Sequence, residues 1–210
     1  KYLGDKEAPD YVLSNTGNRE FNFSGDISFV KKEYEVLAFY SFYHAEIGIL
    51  SASHIGNAND LYNSIENQVP NVINDFTYAI INPKQTVEHH LVKLNYNQKI
   101  DDSSSLSSFY SFQFNHRQEY DLRRTDNANK AALDLELATH TLQTDYKKAW
   151  EKWTLKTGIN ALYQNNFANP KTDVRPLIPS YVKFDGGLYG VGNYRINEEL
   201  ALEMGIRYDF

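Results

Sequence analysis

Residues 200–210, LALEMGIRYDF, alternate without a break between an apolar set (Leu200, Leu202, Met204, Ile206, Tyr208, Phe210) and a polar set (Glu203, Arg207, Asp209). A two-residue period sends neighbouring side chains to opposite faces of an extended chain, so this stretch predicts a strand. The same period recurs in Phe21, Phe23, Ile27 and Phe29 against Glu20, Asn22, Ser24, Asp26 and Ser28. It returns in Trp153, Leu155, Ile159, Ala161 and Tyr163 against Thr154, Lys156, Asn160 and Gln164. A chain built this way needs something apolar against one face of every strand.

In a soluble sandwich that apolar neighbour is a second sheet; in a membrane barrel it is lipid. Aromatic residues make up 14% of the chain, with 16 Tyr and 12 Phe, yet only 41% of residues are hydrophobic and the mean hydropathy is -0.57. No run of about 18 apolar residues suggests a spanning helix. Outer-membrane barrels combine these properties, because half of each strand faces lipid while the other half and the loops are wet. The absence of Cys excludes a disulfide framework and any thiolate ligand or nucleophile, and it fits a chain that crosses an oxidising periplasm. A net charge of -6 lacks the basic face of a nucleic-acid binder. Lys1 opens directly on polar residues, so the expectation is a chain whose leader has been removed or an interior piece of a longer one.

The wiring is asymmetric. Strands are expected at residues 19–31, 34–49, 85–96, 105–120, 133–147, 153–165, 182–194 and 200–210. Short turns fall at 32–33, 97–104, 150–152 and near Asn197; long polar segments fall at 50–84, 121–132 and 166–181, the first with a short helix near 59–67. Alternating short and long connections are those of an up-and-down barrel with tight periplasmic turns and large external loops. Leu133, Leu135 and Leu137 lie on one parity and Leu142 and Tyr146 on the other, which predicts a bulge or a change of polarity at a membrane edge. Trp150 and Trp153 suit an interfacial aromatic girdle.

Several stretches, in this order and separation, resemble the barrel region of TonB-dependent outer-membrane receptors of the Bacteroidota type: SNTGNREFNFSGDISF (14–29), YSFYHAEIGILSASHIGNANDL (40–61), QTVEHHLVKL (85–94), ALDLELATHTLQTDY (132–146), VRPLIPSY (174–181) and LALEMGIRYDF (200–210). The resemblance implies active uptake of a scarce nutrient, a siderophore, cofactor or oligosaccharide, driven by the TonB energy-coupling complex through a plug. Such receptors resemble a plug followed by a barrel of about 22 strands. Here there are eight candidate strands, with no plug and no energy-coupling box. The expected fold is therefore all-β, with antiparallel up-and-down strands forming a partial outer-membrane barrel. Residues 1–210 are then one fragment of the barrel wall, located in the outer membrane, contacting its lipid, and linked to the TonB complex only through the missing plug. Two alternatives remain: a complete small eight-stranded barrel with a structural or adhesive role, and a soluble all-β ligand-binding module.

The residues point to no catalysis and no cofactor. His89 and His90 are adjacent on a strand and face opposite ways, so they cannot share a metal. His90 with Glu88, or His44 with Glu46, shares a face, but two ligands do not complete a metal site. There is no Gly-x-Ser-x-Gly elbow. Gly186, Gly187, Gly190 and Gly192 sit inside a strand pattern, where they permit close packing rather than cradle a phosphate. The candidates for a ligand path are Arg123, Arg124 and Asp126 in a loop, a set able to hold an anion bidentately, together with the polar-face Glu203 and Arg207. Lys156, Asn160 and Gln164 join them on the same expected face, where plain solvation of the wall is the simpler reading.

Overall fold

A computed structural model describes residues 1–53, 57–67, 69–122 and 130–210. The chain opens with three two-residue strands, β1 (Tyr2–Leu3), β2 (Lys6–Glu7) and β3 (Val12–Leu13). Long strands follow: β4 (Asn18–Val30), β5 (Tyr34–Gly48), β6 (Lys84–Lys99), β7 (Ser104–Tyr120), β8 (Leu133–Ala149), β9 (Trp153–Ala168) and β10 (Tyr181–Arg195), then the shorter β11 (Ala201–Asp209). Helix α1 (Ala58–Glu66) lies between β5 and β6, capped by Asn57, whose side chain accepts from Asp60 N.

All the long strands belong to one antiparallel sheet in sequence order, with β1 on its outer edge beside β4. Each long strand therefore pairs with the long strands next to it in sequence, an up-and-down arrangement. The connections between β4 and β5, β6 and β7, β8 and β9, and β10 and β11 are short and lie at one end; the longer connections between β5 and β6, β7 and β8, and β9 and β10 leave and re-enter the sheet at the other.

The strand boundaries follow the expected ones to within three residues, the largest corrections being the ends of β6 and β9, which run on to Lys99 and Ala168. β6 runs on to Lys99, because Asn97 and Gln98 pair with Glu35 and Tyr34 on one side and with Ser107 and Leu106 on the other. Ladder hydrogen bonds on both sides override the turn preference of the polar residues. β8 carries no bulge: its register with β7 is continuous from Leu133 opposite Glu119 to Lys148 opposite Ser104. The switch of leucine parity is thus a change in which face is apolar along the strand.

Register sorts the side chains into two faces. One carries Phe23, Phe42, His90 and Phe114 across four strands, with successive ring centroids 5.8, 4.9 and 6.3 Å apart. Toward β11 the same face carries Ile159, Leu188 and Tyr208 in one row. The other face carries Ser41, Leu91, Gln113 and Thr139 in one row and Asn160, Gly187 and Asp209 in another. It is mainly polar. The apolar face is not covered: Ile206 is 80% exposed, Ile27 74% and Met204 72%. Among the described residues the only buried hydrophobic ones are Ala45, Ala131 and Ala168. This is a single layer without a conventional core.

The ends of the sheet are fixed by polar contacts. In the short turn between β6 and β7, the Asp101 carboxylate accepts from Ser103 N and Ser103 Oγ, each at 2.7 Å, and pairs with Lys148 at 3.2 Å. Hydrogen bonds from Ser104 and Ser103, with the Lys148 ammonium, hold its pKa far below the usual carboxylate range. At the turn before β9, Trp150 N donates to Trp153 O at 2.7 Å, and the Trp153 ring packs on Tyr194 at 4.5 Å, placing both tryptophans at the short-turn end.

At the long-loop end, Asn15 (φ 64°) is the joint between the N-terminal segment and the segment before β6. Its side-chain amide donates to Ile49 O and Pro83 O at 2.9 and 2.8 Å, and its Oδ1 accepts from Ile81 N at 2.9 Å. Asn tolerates left-handed backbone better than other residues with a Cβ. Asn15→Ala is expected to lose all three bonds and incur the left-handed penalty, costing roughly 3–5 kcal/mol. Asn15→Gly should lose the bonds alone and cost less. Limited proteolysis within residues 49–83 reads the difference: equal protection in the two variants would refute the backbone contribution.

Candidate functional site

The site is a polar strip on the less apolar face, between β8 and β11. Strand alternation brings Gln143 and Asp145 of β8, Lys156 and Asn160 of β9, Tyr189 of β10 and Arg207 of β11 to that face. Asp145 is its centre. Its carboxylate accepts a short hydrogen bond from the Tyr189 hydroxyl, another from Gln143 Nε2 at 3.1 Å, and pairs with Lys156 Nζ at 3.3 Å. The Asp145 side chain is only 17% exposed, so these partners replace water around the charge. Lys156 Nζ also sits 5.8 Å from the Tyr189 ring centroid.

Tyr189 reaches Asp145 across β9 because the intervening position is Gly158. A Cβ there would lie 2.5 Å from both Asp145 Oδ1 and the Tyr189 ring. Gly187 makes a similar gap in β10: a Cβ would come within 2.5 Å of Asp209 Oδ1 and 2.6 Å of Asn160 Oδ1. Asn160 Oδ1 is buried and has no hydrogen-bond partner among the described residues. Arg207 is held to Asp209 at 2.6 Å. Together with Thr141, Gln143, Asn160 and Tyr189, Arg207 lines a hollow of about 640 Å³ that spans four strands. Glu203 lies on the same face toward the short-turn end, beside a smaller hollow of about 420 Å³ shared with Lys147, Lys156 and Asn193.

Of the expected ligand-path residues, Glu203 and Arg207 therefore face the polar side, as do Lys156, Asn160 and Gln164. Arg123, Arg124 and Asp126 lie outside the described residues. The sequence reading missed Asp145 and Tyr189. Asp145 shared its parity with Gln143 and Lys147, a signal that was present; Tyr189 was hidden by the glycines around it.

The four glycines of β10, Gly186, Gly187, Gly190 and Gly192, split in use. Gly186 lies under the Phe210 ring, where a Cβ would meet it at 2.4 Å, and Gly187 admits Asn160 and Asp209. Gly192 faces open space. None of the described glycines has a positive φ, so none serves a phosphate-type turn.

On the apolar face, His90 Nε2 lies 3.1 Å from Glu88, and its Nδ1 is 2.8 Å from the Tyr40 hydroxyl. His140 repeats the motif two strands on, with Nδ1 2.9 Å from the Tyr110 hydroxyl. The Glu46 carboxylate is taken by Lys84 at 2.7 Å and Arg19 at 3.5 Å, while His44 lies 4.0 Å from Glu88. Among the described residues no group of three or more His, Cys, Asp or Glu is placed to hold a metal. No family model matches the chain, and no curated protein shows significant similarity to it.

Chemically, the strip offers fixed donors, acceptors and balanced charge along a groove. This suits contact with a polar solute or with another polar surface. The geometric claim is that Gly158 exists to let Tyr189 reach Asp145. Gly158→Ala is expected to cost about 1–3 kcal/mol, and most of that cost should vanish when Tyr189 is also replaced by Ala. Urea unfolding of the two single variants and the double variant forms the test; simple additivity would show that the ring and the glycine are not coupled.

Proposed function

We propose that the chain is part of the wall of an outer-membrane β-barrel receptor that takes up a scarce nutrient, with the apolar face toward lipid and the polar face lining the interior. The observation that carries this reading is the uncovered apolar face of a single-layer sheet. An exposed apolar surface spread over eight strands is far beyond what a soluble monomer tolerates, and lipid is the apolar phase that fits it. Strand length supports the same reading. β5 to β10 have 15 to 17 residues, more than the 9–11 or so that a tilted strand needs to cross a bilayer. No described helix is long and apolar enough to cross a membrane.

Two features favour a portion of a larger receptor wall over a complete small barrel. The sheet is open: β11 pairs only with β10, and the far side of β4 carries only the two residues of β1. An eight-stranded barrel would need β4 and β11 to pair, since exposed ladder groups are not tolerated in hydrocarbon. The second is the order and separation of the sequence stretches that resemble TonB-dependent receptors. A soluble module would need a second layer over the apolar face, and no described element provides one. In this reading the strip around Asp145, Tyr189 and Arg207 faces the solute path, coupling to the TonB complex runs through a plug not contained in these residues, and no catalysis is involved.

The orientation of the faces has a direct test. Ile206→Lys on the apolar face, four residues along β11 from the level of the Trp153–Tyr194 pair, should destabilise the folded state in lipid vesicles by about 2–4 kcal/mol, as for a cation near the bilayer midplane. Asn193→Lys, one strand away on the polar face, should change it little. Equal costs in a urea titration would refute the assignment of the faces. The receptor reading makes a separate claim about size: an antibody to this segment should detect, in outer-membrane fractions, a polypeptide several times heavier than 24.2 kDa. A membrane-bound band near that mass would replace it with the small complete barrel.

A further inference from the structure

The apolar face is bounded by polar residues toward both ends of its strands, and neither boundary runs along the ladder. On β4 the face carries Phe21, Phe23, Gly25, Ile27 and Phe29 between Arg19 and Lys31. Followed from strand to strand through its register partners, the row of Phe29 reaches β11 at Tyr208. There the face stays apolar through Ile206 and Met204 to Leu202, so the boundary near the short turns has moved by six residues over seven strand interfaces. The row of Phe21 reaches β9 at Phe167, yet on that strand the band stops at Tyr163 and Asn165 follows, a shift of four residues over five interfaces in the same direction. On the strands between, Phe42 before His44 on β5 and Ala138 before Glu136 on β8 each lie one same-face position below that row. Both boundaries descend by about 0.8 residue per strand, which at 3.3 Å per residue and 4.8 Å or so between strands is an angle of roughly 30° between band and ladder rows.

A band set at a constant angle is the trace that a flat apolar layer leaves on strands that cross it obliquely. Its extent agrees. From Phe21 to Phe29 is about 26 Å along the strand, or about 23 Å once inclined, against the 25 Å or so of an outer-membrane barrel's apolar band. Within the band and at its edge, polar side chains pair with one another. The Ser108 and Thr144 hydroxyls are 2.8 Å apart, the Tyr110 hydroxyl is 2.9 Å from His140 Nδ1, and the Tyr40 hydroxyl is 2.8 Å from His90 Nδ1. A layer without water demands such pairing, because an unpaired polar group there costs several times more than in solvent. Above the band the same face changes character: Glu46 is held by Lys84 at 2.7 Å and Arg19 at 3.5 Å, and Asp134 by His116 at 2.8 Å.

We propose that the hydrocarbon layer of a lipid bilayer crosses this sheet obliquely, along a belt that descends from Phe21 to Phe29 on β4 toward Leu202 on β11. The outward face of β5 to β8 above the belt, with Glu46, Glu88 and Asp134, then stands in the polar headgroup layer. The inference rests on the lipid-facing reading of the apolar face and adds to it the depth of each residue.

Four single-cysteine variants test it: Phe21→Cys, Phe167→Cys, Ile27→Cys and Met204→Cys, all at exposed positions of a segment that has no Cys of its own. Phe21 and Phe167 share a ladder row, whereas the row of Ile27 reaches β11 at Phe210, six residues from Met204. Each variant of the intact polypeptide carries a nitroxide in phospholipid vesicles, and its depth is read from collisions with oxygen, which concentrates in hydrocarbon, and with a water-soluble nickel chelate. The oblique belt predicts one depth for labels at 27 and 204, and a label at 167 about 12 Å farther out than one at 21. Equal depths at 21 and 167, with 27 and 204 about 20 Å apart, belong to a layer parallel to the ladder rows and would overturn the inference. Water-like collision rates at all four sites would overturn the lipid-facing reading itself and the belt with it.

Discussion

The ladder of main-chain hydrogen bonds is what every other feature of this molecule depends on. Seven interfaces between long strands, in strict sequence order, satisfy the peptide groups from β5 to β10 on both sides. With the backbone satisfied within one layer, the fold does not need a packed interior to exist in an apolar medium. The side chains are then free to divide: one face becomes apolar and the other polar, with alternation as the only rule. The near absence of buried hydrophobic residues is therefore a consequence of the architecture and not a defect of packing.

The same ladder explains why so much of the fold was legible in the sequence. A period of two is imposed on every residue of a strand, so LALEMGIRYDF and the opening of β4 announce themselves. Turns are short and polar at one end only, so the wiring is legible too. What escaped was decided by partners distant in sequence. Asn97, Gln98 and Lys99 have turn-like composition, yet their neighbours on β5 and β7 keep them in the ladder. The leucines of β8 left a bulge and a change of polarity both open, and only the continuous pairing with β7 decides for the second. Likewise the joint at Asn15 is made by contacts to residues 49, 81 and 83, which no local pattern links to it.

The polar strip was half legible for a related reason. Glu203, Arg207, Lys156 and Asn160 can be placed on one face by counting parity. The contact that organises the strip, from Tyr189 over Gly158 to Asp145, skips a strand and depends on what is missing at position 158. Glycine in a strand normally costs order. At Gly158 that cost is offset by the direct contact of the Tyr189 and Asp145 side chains, which come from strands that are not neighbours. A polar face made continuous in this way is stiffer than a row of independently solvated groups, which is what a surface that positions a solute requires.

The edges carry the remaining argument. An exposed ladder edge invites pairing with another chain, and natural sheets guard theirs with charge, proline or a covering segment. Here β4 is guarded at one end by β1 and otherwise presents Phe21, Phe23, Ile27 and Phe29 on a strand with a free side. β11 is almost uniformly exposed and carries an Arg207–Asp209 pair but no proline. Neither edge is protected as a solvent-facing edge should be. Both keep the alternation of apolar and polar faces up to the last paired residue, so an added strand would extend the same two surfaces without interruption. Each edge could thus accept a further strand of the same kind, and that, together with the bare apolar face, is what supports the proposed larger barrel wall over a finished eight-stranded one.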